Sequence, residues 1–461
     1  MTKTILIYPP FCTPASPPYS ITNIYAFLKN NLPEDCELEV LDLNIDFHKM
    51  KLPGYQKYYR GIKQDYNPKE YDDVTKEYKR ITKHTYSENN RRILDELEPE
   101  FFDEFLQKII EKGPDRVAFS IVYSSQAFYA YTLIKALKEL GIETIIGGPA
   151  VNKKLEEEAD IKLSNELELL NHITGEEIDH RSLNCRTVLD FSIYNLDDYF
   201  TPEPVMPIRT TSACYYKRCT FCTHHNNTPY IEYPLENIKE SIVRSRAKHV
   251  FIVDDLVHKK RLLDIAAFLG PLDITWMCQL RPSSEFDRKT LEMLSASGLK
   301  TIIWGVESAS DRILKLMQKG TNKREIEKVL KDSHDAGIKN VVYIMFGFPT
   351  ESEAEALKTI DFLKRNKDNI DLISTSIFGL QKGTVIYKNP ILFGIKKITE
   401  EKRTMLEPKI TFEVSHGLTT QHATDLRRKY KKTLDALSKY PRTMNFFREH
   451  MLWLSSVPKP Y

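Results

Sequence analysis

The sequence predicts an α/β protein: an amino-terminal Rossmann-like domain, a partial (β/α)6 barrel and a mostly helical carboxyl-terminal region. Short apolar runs alternate with helical stretches near the amino terminus. The same rhythm returns six times in succession between residues 204 and 384, and a linker-like segment, 171–203, separates the two series. Strands that alternate with helices form parallel sheets, because a parallel pair needs a crossover connection.

In the first domain, residues 1–170, Thr4–Ile7 reads as a strand, Ile21–Leu28 as a helix and Leu38–Leu43 as a second strand. Residues 49–113 are charged, rich in tyrosine and free of strand pattern, and are expected to form solvated helices inserted into the domain. The rhythm resumes with Arg116–Val122, a helix over Ala130–Leu140, and Glu143–Ile146 running into Gly147 and Gly148. A parallel sheet binds ligands at the carboxyl ends of its strands. Here those ends carry Pro9-Pro10, Ser124-Ser125 and Gly147-Gly148-Pro149, residues small enough for tight turns or for a large ligand to come close.

The barrel strands are expected at Pro207–Thr211, Val250–Val253, Ile274–Cys278, Thr301–Trp304, Asn340–Phe346 and Leu372–Ile377. Ile238–Lys248, Lys289–Ser297 and Ile326–Ala336 lie between them as helices. Six units cannot close an eight-stranded barrel, but an open one also builds its site at the strand carboxyl ends. Residues 385–461 read as mostly helical, for instance over Gln421–Leu437.

Composition narrows the function classes. A net charge of +2 with no basic tail disfavours a nucleic-acid partner. No run of eighteen apolar residues is long enough to span a bilayer. The opening MTKTILIYPPF meets two prolines too early for a secretory segment, so a cytoplasmic protein is expected. Seven cysteines, an odd number, point away from a disulfide framework and towards metal binding.

Three of the seven, Cys214, Cys219 and Cys222, fall in the loop TSACYYKRCTFCTHH after the first barrel strand. The pattern is C-x4-C-x2-C. Three thiolates on one loop can hold three irons of a 4Fe–4S cluster and leave the fourth open to an exogenous ligand. With His224 or His225 they could instead complete a Cys3His zinc site. Other strand ends carry polar or small residues. Asp254 follows the second strand, Arg281 the third, Gly305, Glu307 and Ser308 the fourth, and Gly347 the fifth. Singly, these read equally well as helix caps, surface charges or turn residues.

Taken together, the cysteine loop with Phe221 before its last thiol, WGVES at 304–308, FGFPTE at 346–351 and VDD at 253–255 resemble the radical S-adenosylmethionine superfamily over roughly residues 205–380. The cysteine spacing is one residue longer than that family's usual C-x3-C-x2-C. The resemblance implies a 4Fe–4S cluster on the three cysteines, with S-adenosylmethionine chelating the open iron. It places Phe221 and Gly347 near adenine, Glu307 and Ser308 near the ribose or amino group, Gly305 at a close backbone approach, Asp254 at the rim and Arg281 opposite the methionine carboxylate. It also implies an electron donor such as flavodoxin or ferredoxin.

The preceding α/β domain, with Ile7-Tyr8-Pro9-Pro10 and Gly147-Gly148-Pro149, resembles the cobalamin-dependent branch, with the vitamin between the two domains. The branch's D-x-H-x-x-G motif is absent, and Lys162–Glu168 replaces its G-E-G-E segment. The function implied is methylation of an unactivated carbon in a peptide, lipid or small natural product. The alternatives are a non-methylating radical reaction on a domain that has lost the vitamin, and a non-catalytic iron–sulfur or zinc protein. No cysteine follows Cys278, which leaves no ligands for an auxiliary cluster near the carboxyl terminus.

Overall fold

The computed structural model describes residues 2–63, 65–178, 183, 187–223 and 229–454. Five parallel strands form the first sheet: β1 (Thr2–Tyr8), β2 (Cys36–Asp42), β3 (Arg116–Ser120), β4 (Glu143–Gly147) and β5 (Ile161–Lys162), in the order β2-β1-β3-β4-β5. The order reverses direction between β1 and β3, the switch point at which doubly wound sheets open a crevice. Near-continuous apolar burial in β1, where Thr4 to Tyr8 are all buried, fits a strand covered on both faces. The two-residue β5 is too short to show in the sequence pattern.

The second sheet is β6 (Val205–Ile208), β7 (His249–Ile252), β8 (Thr275–Leu280), β9 (Leu299–Glu307), β10 (Lys339–Phe346) and β11 (Leu372–Ile377). All six are parallel and neighbour one another in chain order, an open barrel as expected. One face packs against the surrounding helices through Met206, Val250, Trp276, Trp304 and Val342. The opposite, inward face carries Val205, Phe251, Met277, Ile303, Val341 and Leu372. No helix among the described residues is long and apolar enough to cross a membrane.

One expectation is corrected and another, the mostly helical carboxyl-terminal region, gains a detail. The insertion is helical, over Pro53–Gly61, Pro68–Leu94 and Phe102–Ile110, but it is not merely solvated. Tyr59, Tyr71 and Tyr78 are fully buried and share the inward core of the barrel with Phe200 and Phe447. The stripe Tyr71, Thr75, Tyr78, Thr85 and Asn89 along the longest helix recurs at three- and four-residue steps or their sums, so one face is buried while the charges face outwards. The carboxyl-terminal region, for its part, contains an antiparallel hairpin, β12 (Ile395–Glu401) with β13 (Lys409–Val414). Its β13 does alternate, with Ile410, Phe412 and Val414 on one face. In β12 charges stand on both faces, which hides the period of two.

One buried polar node holds the barrel strands in register. Asn340 accepts from Trp304 Nε1 at 2.7 Å and donates from Nδ2 to the carbonyls of Leu330 (2.8 Å) and Asn369 (2.7 Å), with no exposed surface. Replacing Asn340 by Leu strands one donor and two acceptors in the core. The expected loss is about 3 kcal/mol of unfolding free energy in urea titrations, against less than about 1 kcal/mol for an exposed substitution such as Lys331→Ala.

Candidate active site

The site is built from the turn after β6. Both carboxylate oxygens of Asp254 accept from this turn: the Thr210 amide at 2.8 and 3.1 Å, the Thr211 amide at 3.0 Å and the Thr210 hydroxyl. Burial raises the pKa of this carboxyl, and the donors only partly offset that. Asp254 therefore fixes the base of the cysteine loop, and its oxygens are already engaged by the chain rather than turned to the rim as the resemblance implied. Further along, Thr220 clamps the loop, donating its amide to Met317 O and its hydroxyl to Leu316 O, both at 3.0 Å, while its carbonyl accepts from Ile386 N at 3.1 Å.

Cys214, Cys219 and Cys222 are half-buried, and none of the three is in a disulfide. Burial pushes the Cys219 thiol up, Lys319 opposes this, and Cys214 and Glu307 act at the same sulfur. Lys319 in turn responds to Cys219 and Cys222, so these two thiols share one neighbourhood with this lysine, and Cys214 adjoins Cys219. Among the described residues, no three His, Cys, Asp or Glu side chains gather closely enough for a single metal ion. His224 and His225, the candidate zinc ligands, lie outside the described residues.

Lys319 is the residue that sequence reasoning missed. It is 8% exposed, and its Nζ lies 3.0 Å from Glu307 Oε1 and 5.7 Å from the Phe221 ring centre. Burial works against its charge, but Glu307 and the two thiols outweigh that and raise its pKa. The pair needs room. A Cβ on Gly305 would stand 2.9 Å from Lys319 Nζ and 3.1 Å from Glu307 Oε1, so a side chain there would push the ends of the pair aside. Glu307 itself has φ of 64°, a left-handed conformation disfavoured for a side chain, where the β9–β10 register shifts. The available signal for Lys319 was Gly320, which has φ of 65° and lies under Tyr216 and Arg281.

Arg281 acts on the same turn. Its Nη1 donates to the carbonyls of Lys319 (3.2 Å) and Gly320 (2.8 Å), its guanidinium lies 4.0 Å from the Tyr216 ring centre, and its buried Nε has no partner. It thus holds the Lys319 backbone, where the expectation had it facing a ligand. Ser308 has no exposed surface. Its hydroxyl accepts from Ser310 N at 3.1 Å and lies 3.4 Å from Thr359 Oγ1, turned into the barrel wall away from the Lys319–Glu307 pair.

Gly347 is buried beneath the helix Thr420–Lys429. Its amide donates to Glu351 Oε2 at 2.6 Å, and a Cβ there would meet Ala423 Cβ at 2.7 Å. Phe221 packs edge-on to Phe348 at 6.5 Å, leaving part of its ring accessible. At the other sheet, Gly148 has φ of 113° and a Cβ would stand 2.4 Å from Ile121 O, while Gly147 lies against Leu163 O. Backbone crossing at the end of β4 explains both glycines, and Gly148 remains exposed there.

Residues 208–363 match the family model described as the Radical SAM superfamily. An uncharacterized methyltransferase of Pyrococcus horikoshii is 28% identical over 188 residues, 40% of this chain and 40% of that protein. The chain thus spans about two-fifths of the length of this curated relative. Among solved structures, the radical S-adenosylmethionine methyltransferase TsrM of Kitasatospora setae, with tryptophan substrate and an aza analogue of S-adenosylmethionine, aligns with a TM-score of 0.64. The identity is 14%, covering 95% of this chain and 89% of TsrM. The cobalamin-dependent radical enzyme OxsB aligns with a TM-score of 0.53 at 14% identity, covering 85% of this chain and 56% of OxsB. The barrel segment 208–363 is thus that of the radical S-adenosylmethionine superfamily, and the two-sheet fold resembles that of TsrM and OxsB.

Glu351 supplies a pH-dependent test of the site's packing. Burial raises its carboxyl pKa to about 7, the Gly347 amide only partly offsets this, and its Oε1 has no partner. Folding therefore favours the protonated acid. The stability it lends is whole below the ordinary carboxyl range near 4.5, falls as pH rises to about 7, and is level above that. Glu351→Gln keeps an acceptor for Gly347 and should flatten the slope of unfolding free energy between those limits by about 3 kcal/mol in total, read from urea titrations across pH.

Proposed function

We propose that this protein is a cobalamin-dependent radical S-adenosylmethionine methyltransferase that methylates an unactivated carbon of a peptide or small natural product. The observation that carries the reading is the three-cysteine loop held beside the Lys319–Glu307 pair, which acts on Cys219 and Cys222. Three thiolates of one loop suit a four-iron cube, which takes one ligand per iron and spreads its ligands wider than a single ion does. The sheet partly meets the demands of the vitamin: the β1/β3 switch point and the exposed Tyr123, Ser124 and Gly148 beside it offer a planar ligand an aromatic and an open turn. When bound, the reduced cluster supplies the electron that cleaves the sulfonium, and cobalamin carries the methyl group.

The chain's own residues do the rest. Lys319 offsets the negative charge of the thiolates and presents a cation to a carboxylate. Glu307 is a carboxylate within reach of an ammonium, and the two exchange their mutual bond for bonds to an amino acid moiety. Gly305 leaves the space for this. Phe221 offers an apolar surface to adenine, Asp254 and Thr220 hold the loop rigid, and Arg281 holds the turn that carries Lys319. The methyltransferase names of the Pyrococcus relative and of TsrM favour methyl transfer.

A second reading, radical chemistry without methyl transfer, is favoured by one feature. Beyond the short β5, the segment Lys162–Glu168 holds no glycine and starts a helix at Glu166, capped by Asn165. Side chains there narrow the approach to the sheet.

Two measurements test these readings. Cys214→Ala, Cys219→Ala and Cys222→Ala should each drop iron and sulfide in anaerobically reconstituted protein to near background, with cleavage of S-adenosylmethionine lost. Bound zinc, or full cleavage by any of the three variants, overturns the cluster assignment. Protein produced with cobalamin should retain about one per chain and take isotopic label onto it from methyl-labelled S-adenosylmethionine. Release of 5′-deoxyadenosine without retained cobalamin or transferred label would establish the second reading.

A further inference from the structure

The inward face of the barrel changes character along its strands. At its lower end Phe251, Met277, Ile303 and Val341 are buried against the carboxyl-terminal segment through Met444, Phe447, Met451 and Trp453. One inward position higher, Val253, Gln279, Gly305, Tyr343 and Ser374 are all half-buried. The outward residues that alternate with them, among them Cys278, Leu280, Trp304, Val306, Val342 and Ile344, are at most 3% exposed. Exposure confined to the inward side of adjacent strands marks a chamber above the apolar plug. Its upper end is the Lys319–Glu307 pair, whose atoms bracket Gly305.

The plug sends two adjacent charges towards this chamber. The Arg448 guanidinium lies 5.5 Å from the ring centre of inward-facing Tyr343. Glu449 is next to it, and burial raises its carboxyl pKa with Arg448 only partly offsetting this; both act on Tyr123, just past β3, so they stand between the two sheets. Among the described residues neither forms an ion pair, whereas the buried Lys319 at the chamber's upper end is matched by Glu307 at 3.0 Å. A buried charge left unmatched is costly, and a ligand bearing only one charge would leave the other uncompensated. A zwitterion matches both at once.

We infer that the chamber is a substrate site for a small zwitterion of the α-amino acid class, its carboxylate held by Arg448 and its ammonium by Glu449. Such a ligand's side chain would extend up the inward face past Tyr343 and Gln279 towards the barrel mouth. The inference rests on the proposed reading for what happens to the ligand there, but not for its binding.

The test uses full-length protein without cluster, so binding is read apart from radical chemistry. The twenty proteinogenic L-amino acids are the probes, titrated singly by calorimetry, each beside its carboxamide and its N-acetyl derivative. At least one amino acid should bind, with both derivatives weaker by about tenfold or more. Arg448→Gln should weaken binding by about tenfold or more, Arg448→Lys should fall between, and unchanged circular dichroism would show that both variants fold. Absence of binding by all twenty, equal binding of a carboxamide or an N-acetyl form, or an unaffected Arg448→Gln variant overturns the inference. An intact cluster with active cleavage in the parent protein would then show that this inference alone has failed.

Discussion

A lysine ammonium buried beside Glu307 and the thiols of Cys219 and Cys222 is the interaction around which the site is arranged. Lys319 stays charged in a place where burial opposes charge because Glu307 and the sulfurs of Cys219 and Cys222 outweigh that penalty. Each neighbour serves this balance. Gly305 leaves the ends of the pair undisturbed where a Cβ would crowd them, and Glu307 adopts a left-handed backbone beside it. Arg281 and Tyr216 grip the carbonyls of Gln318, Lys319 and Gly320, which fixes where the ammonium points.

The two sheets supply what a lone loop lacks. Asp254 ties the turn after β6 to the end of β7, and Thr220 ties the middle of the cysteine loop to the end of the helix Asp311–Leu316 and to Ile386. Each connection therefore links elements far apart in sequence, and the thiols are held by the barrel as a whole. The inserted helices and the carboxyl-terminal segment meet beneath, where Tyr59 packs on Phe447 at 4.8 Å and Tyr71 pairs with His450 at 2.9 Å. Burial depresses the His450 pKa to about 4, so it acts as a neutral hydrogen-bonding ring in an aromatic plug. Closing the lower end in this way leaves the upper half of the barrel as the open space.

The strands and their order were legible because the parallel sheets write themselves as apolar runs separated by helix-period stretches. All six barrel strands fall where the pattern puts them, within a few residues. The cysteine loop was legible for a chemical reason: three thiols within nine residues have few other uses. Strand-end residues were less so. Sequence order put Ser308 and Gly347 at the right strand ends, but alternation turns Ser308 outwards to Thr359, and Gly347 is covered by a helix more than seventy residues later in the chain. The tyrosine-rich insertion carried its helical stripe openly, yet nothing local says that the stripe meets a barrel interior.

By itself the sequence determined the two α/β units, the parallel order of their strands and the three thiols, since periodicity and ligand spacing are local properties of the chain. Only the tertiary structure decided that Lys319 joins Glu307 across twelve residues, that Asp254 and Arg281 brace the site from within, and that Arg448 and Glu449 reach the space between the sheets. Those are questions of direction and burial. They are settled by which face of a strand a side chain occupies and by what distant segment covers it.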